Sequence, residues 1–345
     1  MPIRTFLALS FCLALLAAGC RSPTDRVYAL PLDGPPTEGD WAGAVAFRAE
    51  ATGGRTTRAD EAAVDADTVH RATASCHHGT RAPPVDVEVR AFYTGDRLYL
   101  RLSWTDPTLH TGPGWRWDGR TWTPGAHGQD GAAVLWGPGD PAFRCARACH
   151  LVDFRMAGAG ALPDYRMATP APWGALDLWV WKAGWGRVTG VAEDMELGPE
   201  GRRPDRPGER FVLNRASGGG DAPLVAPDPE PGAEAPAFLD RGAGPGRTEV
   251  SARGRWDRGR WVVTFSRALR GRDPGDVVLE PGGLYRLGLA LLDGVSEDHN
   301  AVAEPVTLWL VPRDRVPATR RDSRPAHPAS RVSPPDAPPA SEDRP

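Results

Sequence analysis

Lysine is almost missing from this chain: of 41 basic side chains in 345 residues only one, Lys182, is not an arginine. The imbalance is of the kind a GC-rich genome produces. Acidic groups outnumber basic ones, 44 to 41, for a formal net charge of −3. That balance excludes a broad basic surface, and nucleic-acid binding with it. Cysteine is scarce, five in all, and methionine scarcer, four. Long apolar runs are confined to Phe6–Ala18, well short of the roughly 20 residues that a helix needs to span a bilayer. The chain shows no P-loop, no GxGxxG opening a βαβ unit, no Ser/His/Asp arrangement and no paired-carboxylate motif, so it presents no catalytic apparatus of its own. No stretch keeps a convincing helical period beyond three turns.

What is present begins with the leader. Arg4 supplies a short positive region ahead of Phe6–Ala18, the layout of a secretory signal. Leu16-Ala17-Ala18-Gly19-Cys20 then reads as a bacterial lipobox, with residues 1–19 as signal peptide and Cys20 as the lipidated first residue of the mature chain. Position 21 is Arg rather than Asp, which favours the outer membrane under the enteric sorting rule. The expected location is the cell envelope, lipid-anchored, facing the periplasm or in the outer membrane. Residues 20–40 read as lipidated cysteine and tether, 41–312 as one domain, and 313–345 as a disordered tail rich in Pro and Arg with little to bury.

Within 41–312 the period is two. Val85–Phe92 alternates apolar and polar, Thr94-Gly95-Asp96 is a turn, and Leu98–Trp104 alternates again, a hairpin. Further strands are expected at Ala132–Trp136, Leu176–Lys182, Phe211–Leu213, Thr248–Arg253, Trp261–Ser266, Leu284–Leu292 and Val306–Val311. Gly/Pro-rich stretches at 112–128, 198–208 and 217–247 read as loops. Many short strands with turn punctuation predict an all-β fold, a β-sandwich with long Gly/Pro-rich loops and few short helices. Thirteen tryptophans, most of them mid-chain, supply large apolar faces that suit a core or a flat pocket.

Cys145-Ala-Arg-Ala-Cys149-His150 is one residue longer than the C-x-x-C-H of c-type haem attachment. Two readings stand: thioether attachment with His150 beneath the iron, or a local Cys145–Cys149 disulfide in the oxidising envelope. Either leaves Cys76 over. A disulfide from Cys76 to one of that pair would leave the other free or in a single thioether. Cys76-His77-His78 reads chiefly as a loop, with a metal site or a second haem attachment as alternatives.

Four blocks in order resemble the haem-binding domain of the ethylbenzene dehydrogenase and dimethyl-sulfide dehydrogenase gamma subunits. They are Val87–Ala91 with Leu98–Trp104-Thr-Asp106-Pro-Thr108; Gln129-Asp130 to Trp136 followed by Phe143–His150; Met167-Ala-Thr169 followed by Asp177-Leu-Trp179-Val-Trp181-Lys182-Ala183; and Gly259-Arg-Trp261 to Arg267-Ala-Leu269 followed by Tyr285 to Asp293-Gly294. The resemblance covers residues 80–312. It implies a β-sandwich holding one haem near a sheet edge, electron transfer without substrate chemistry, and a methionine axial ligand, here Met167. The gamma subunits place a lysine opposite it, shortly before the last strand. This chain departs there, with Ala303-Glu304-Pro305, and His299 is the nearest replacement. His150 competes for that place. A c-type haem is favoured, with His150 as ligand if the cysteines carry thioethers. A b-type haem held by Met167 and His299 follows if they form a disulfide. Trp179 and Trp181 would line the cofactor. Lys182 would either hold a propionate by charge or stand exposed, its face left open by the alternation. Arg267 reads as a structural contact.

The expected function is electron transfer, not catalysis. The partners would be redox proteins, among them a molybdenum oxidoreductase or a membrane quinol or cytochrome system, with membrane contact through the lipid anchor. The alternatives are a haem-free β-sandwich that binds a ligand through its tryptophans, and a structural envelope lipoprotein.

Overall fold

The computed structural model describes residues 24–53, 84–112, 114–124, 128–141, 143, 169, 171–204, 210–216, 222–242, 249–295, 300–302 and 304–316. Its strands are β1 (Val27–Pro31), β2 (Phe47–Gly53), β3 (Val85–Tyr93), β4 (Arg97–Thr105), β5 (Trp115–Trp117), β6 (Trp122–Pro124), β7 (Gln129–Trp136), β8 (Leu176–Lys182), β9 (Glu193–Gly198), β10 (Gly201–Pro204), β11 (Phe211–Leu213), β12 (Glu234–Ala235), β13 (Phe238–Asp240), β14 (Ser251–Trp256), β15 (Arg260–Ala268), β16 (Leu284–Val295), β17 (Asn300–Val302) and β18 (Val306–Leu310). Two short helices join them, α1 (Glu38–Gly43) and α2 (Ala183–Thr189). Among the described residues no helix is long and apolar enough to cross a membrane.

The expected hairpin forms as β3 and β4, with Tyr93 opposite Leu98. Its turn is closed by Thr94, whose hydroxyl donates to Asp96 and accepts from the Arg97 amide. Alternation then sets the faces. Val87, Val89, Ala91 and Tyr93 of β3 point inward with Leu98, Leu100, Leu102 and Trp104 of β4, and all are buried. β15 continues that layer by pairing with β4 from Trp261↔Trp104 to Ala268↔Arg97, and β14 follows it.

The opposing layer runs β10-β9-β8-β7-β16-β17. It joins the first layer along one edge twice, where β17 pairs with β2 and where β18 pairs in parallel with β1, which itself pairs with β3. The inward side chains of both layers form one apolar cluster. The fold is thus the β-sandwich that the alternation predicts. Tryptophans knit its centre: Trp179 lies 4.9 Å from Trp136, and Trp181 lies 5.2 Å edge-on from Trp261. Each indole removes on the order of 200 Å² from water, about 5 kcal/mol of transfer free energy.

Three stretches depart from the sequence reading. β1, in the supposed tether, is a buried strand between the layers, and α1 follows it with a Thr37–Asp40 capping box. The folded body therefore begins by Val27, not at residue 41. The presumed loops at 112–128 and 217–247 contribute a small three-stranded sheet, β12-β5-β6, and the strand β13 that pairs with β11. The stretch at 198–208 contributes β10.

Candidate functional site

β8 reads Leu176-Asp-Leu-Trp-Val-Trp-Lys182 and is apolar on both faces. Asp177, Trp179 and Trp181 point into the core; Leu176, Leu178, Val180 and Lys182 point out. The outer row meets Met195 and Leu197 of β9 on one side and Leu135 of β7 on the other. With Phe143 these residues form a second buried apolar cluster, against which Ala133 and Trp173 pack. Antiparallel layers usually leave one face to water; this one does not. Phe143 and Thr169 sit at the Trp136 end of that face, where Phe143 packs on Trp173 and the Thr169 amide donates to the Gly198 carbonyl.

Lys182 stands at the other end. It is registered opposite Gly131, where a Cβ would lie 2.6 Å from the Trp181 carbonyl oxygen and 3.4 Å from Lys182 Cγ. Only glycine leaves that passage for the lysine chain. The Lys182 ammonium sits 5.2 Å from the Trp185 ring centroid. The three residues expected to line a cofactor therefore do not share a face. Trp179 and Trp181 are sealed in the inner core; Lys182 lies on the outer side.

The inner face carries charge as well. Arg267 of β15, fully buried, reaches across the sandwich to β8. Its Nη1 lies 2.5 Å from Asp177 Oδ2 and 3.2 Å from Asp276 Oδ1, and Nη2 donates to the Val277 carbonyl. Burial pushes the Asp177 carboxyl up to about 6, even though Arg267 acts to lower it. The structural role expected of Arg267 is seen directly: it ties the two layers together.

A second polar group lies at the Lys182 end. Asp130, the inward neighbour of Gly131, is completely buried and accepts from the His110 and Gly294 amides and from Trp261 Nε1. His110 Nδ1 is 3.2 Å from Asp130 and 3.6 Å from Asp293. Asp106 lies beside them, its Oδ1 bound by the Thr108 amide and hydroxyl and its Oδ2 buried without a partner. In the sequence Asp106, Asp130 and Asp293 stand in three separate blocks with no assigned role, and His110 stands outside every motif. The available signal was that each block carries an aspartate where a strand begins, ends or turns.

Cys20, Cys76, His77, His78, Cys145, Cys149, His150, Met167 and His299 lie outside the described residues. Phe143 and Thr169 flank Cys145 to Met167 at the Trp136 end of β7. His299 precedes Asn300 in the connection from β16, whose Val295 pairs with Gln129 at the opposite end. The ends of this eight-residue strand are roughly 23 Å apart.

The model of the family described as "Ethylbenzene dehydrogenase" matches residues 68–301, more than half of the chain. The chain belongs to the ethylbenzene dehydrogenase family. That match spans β3 to β17 and encloses both the second apolar cluster and the Asp106–Asp293 group. No curated protein matches the chain. Among solved structures, a family 9 carbohydrate binding module from Caldicellulosiruptor kristjanssonii in complex with glucose is 7% identical, with 85% of this chain and 99% of that chain covered and a TM-score of 0.33. The module in complex with cellotriose is 10% identical, with 85% and 97% covered and a TM-score of 0.31. At those scores neither bears on what this chain binds.

Proposed function

We propose that this ethylbenzene dehydrogenase family member is a haem-binding electron-transfer protein of the bacterial cell envelope, anchored through Cys20 and not itself an enzyme. The observation that carries this reading is the family match across residues 68–301, which encloses Cys145-Ala-Arg-Ala-Cys149-His150, Met167 and His299. The described residues fit such a group on the outer face of β7, β8 and β9. Leu135, Leu178, Val180 and Met195 form a buried apolar cluster there, and the segment bearing Cys145 to Met167 departs from and returns to its margin at Phe143 and Thr169. Haem, when held there, would supply one-electron redox chemistry.

The chain's own residues do the rest. Cys145 and Cys149 attach the group or close a disulfide. His150, Met167 and His299 are the candidates to ligate its iron. Lys182, the sole lysine, stands on the outer face with a positive charge suited to a carboxylate. Trp179 and Trp181 are left to the core, where they stiffen the layer instead of touching the group. A thioether ligand such as Met167 favours the reduced iron and raises the potential relative to two histidines. Partners are then redox proteins of the envelope, with a molybdenum oxidoreductase as the family's natural counterpart and a membrane quinol or cytochrome system as the other.

The test is a pyridine haemochrome spectrum of protein matured in a periplasm with c-type maturation, together with intact mass. Haem retained after denaturation is the expected result and assigns Cys145 and Cys149 to thioethers. Extractable b-type haem keeps the electron-transfer reading and assigns them to a disulfide. Absence of haem in both forms overturns it in favour of a haem-free binding module.

A further inference from the structure

The group at the other end of the sandwich has an unbalanced charge. Asp106, Asp130 and Asp293 bring three carboxylates together, and among the described residues no arginine or lysine pairs with any of them. Their one basic neighbour is His110. On β8 the buried Asp177 shares Arg267 with Asp276. A buried charge without a partner costs several kcal/mol unless it is neutralised or coordinated.

The geometry shows how it could be coordinated. His110, Asp130 and Asp293 each bring a ligand atom within 4.8 Å of the other two. Six-coordinate bonds of about 2.2 Å at right angles put neighbouring donors about 3 Å apart. The separations of 3.2 Å and 3.6 Å from His110 Nδ1 are close to that spacing. Asp130 is held rigidly by two backbone amides and an indole, the kind of second layer that fixes a ligand carboxylate. Gly294 has φ +62°, and a Cβ there would sit 2.7 Å from His110 Nδ1, so the backbone of β16 closes on the imidazole as only glycine permits.

An independent observation points to a ligand. Asp106 is 3% exposed, and its Oδ2 is buried with no hydrogen-bond partner. It adjoins the group through Thr108: Asp106 Oδ1 is 3.2 Å from the Thr108 hydroxyl, which is itself 3.4 Å from His110 Nδ1. Burial, with the charges of Asp130 and Asp293, pushes Asp106 up to about 6. The solvent side stays open, because His110 and Asp293 are each about half exposed.

We propose that His110, Asp130 and Asp293, with the buried Asp106 carboxyl beside them, bind one divalent metal ion that clamps the loop after β4 to β7 and β16. One imidazole among carboxylates, without thiolate and with room for water, selects a hard first-row ion of the Mn²⁺ class. The site is separate from the outer face assigned to haem and does not depend on that reading.

The experiment titrates EDTA-treated full-length protein with Mn²⁺, following the free ion by electron paramagnetic resonance, and records thermal melts with and without Mn²⁺. Mn²⁺ is chosen because it binds poorly to cysteine, which separates this group from Cys76, Cys145 and Cys149. The expected result is one equivalent bound and a melting temperature raised by several degrees. His110→Gln/Asp293→Asn, two half-exposed positions whose loss leaves the backbone bonds of Asp130 in place, should weaken binding by at least 30-fold. Without metal the variant should melt within about 2 °C of the parent. Asp106→Asn should weaken binding by a smaller factor. Absence of binding, or binding of equal strength in parent and double variant, overturns the proposal.

Discussion

Replacing Arg267 by methionine removes one charge from a site where its partners cannot reach water. Asp177 and Asp276 stay behind, with side chains 2% and 3% exposed. Methionine fills most of the volume, so the loss is electrostatic rather than a cavity. Breaking a buried pair from one side costs about 3–5 kcal/mol. At the 2–4 °C per kcal/mol usual for domains of this size, the melting temperature should fall by roughly 6–20 °C near neutral pH. The pH dependence is the sharper test. Burial, outweighing Arg267, already pushes Asp177 in the fold from the ordinary 3.8 up to about 6. A carboxyl raised in the folded state contributes stability that is fully present below about 3.8 and is lost as pH rises through about 6. Without Arg267 its folded value climbs further. The cost of the substitution should therefore be smallest below about pH 5, where Asp177 is neutral in both folded proteins, and grow as pH rises through about 6. Calorimetric melts of parent and variant at about pH 4.5 and about pH 7.5 measure this directly, and Arg267→Met/Asp177→Leu should recover part of the loss at the higher pH. A deficit equal at both pH values, or under 2 °C at neutral pH, refutes the reasoning.

Other outcomes follow from single contacts. Gly254→Ala would drive a Cβ into Cζ2 and Cη2 of Trp181, itself pinned between Trp261 and α2; overpacking of this kind costs about 1–3 kcal/mol, read as a lower melting temperature and altered tryptophan emission. Gly114→Ala meets both a φ of +86° and the Ala235 carbonyl, so it should open the β12-β5-β6 sheet, seen as faster amide exchange at Trp115 and Trp117. Lys182→Gln keeps the chain beside Gly131 and gives up the cation–π contact with Trp185, a loss of about 0.5–1 kcal/mol, read as about 1–4 °C in the melting temperature. In haem-loaded protein it should lower the midpoint potential in a redox titration, because loss of a nearby positive charge favours ferric iron; an unchanged potential removes Lys182 from the cofactor's surroundings.

The β3–β4 hairpin and β15 are legible because their alternation is strict. Leu176–Lys182 and Phe211–Leu213 coincide with β8 and β11, and the β3–β4 turn is written in Thr94-Gly95-Asp96. The misses have physical causes. β1 carries only five residues and lies in a Pro-rich stretch; it is a strand because β18 and β3 pair with it from both sides, information that no local window holds. β5, β12 and β13 are two or three residues long amid Gly and Pro, and their pairing is non-local. Lys182 could not be assigned a face because every other residue of its strand except Asp177 is apolar, so period two had nothing to contrast; the Lys182↔Gly131 register settles it. His110 carried no signal at all. A lone histidine in Thr108-Leu-His110-Thr gains meaning only when β7 and β16 bring Asp130 and Asp293 to it.

The two polar groups inside this sandwich answer the same energetic demand differently. On β8 and β15, at the Asp177 end, a guanidinium from the facing layer meets the carboxylates, so the pair is complete within the protein and acts as a tie between layers. At the Asp130 end, hydrogen bonds from amides and an indole orient one carboxylate but cancel none of its charge, and two further carboxylates crowd beside it. Orientation without neutralisation is what a protein supplies when the neutralising charge comes from outside. If the Asp130 group holds no ion, His110→Gln/Asp293→Asn shifts the melting temperature by the same amount in EDTA and in Mn²⁺. If it serves an ion, the same double variant melts close to the parent in EDTA and loses the gain that Mn²⁺ gives the parent. The comparison of those two melts decides between a tolerated strain and a built site.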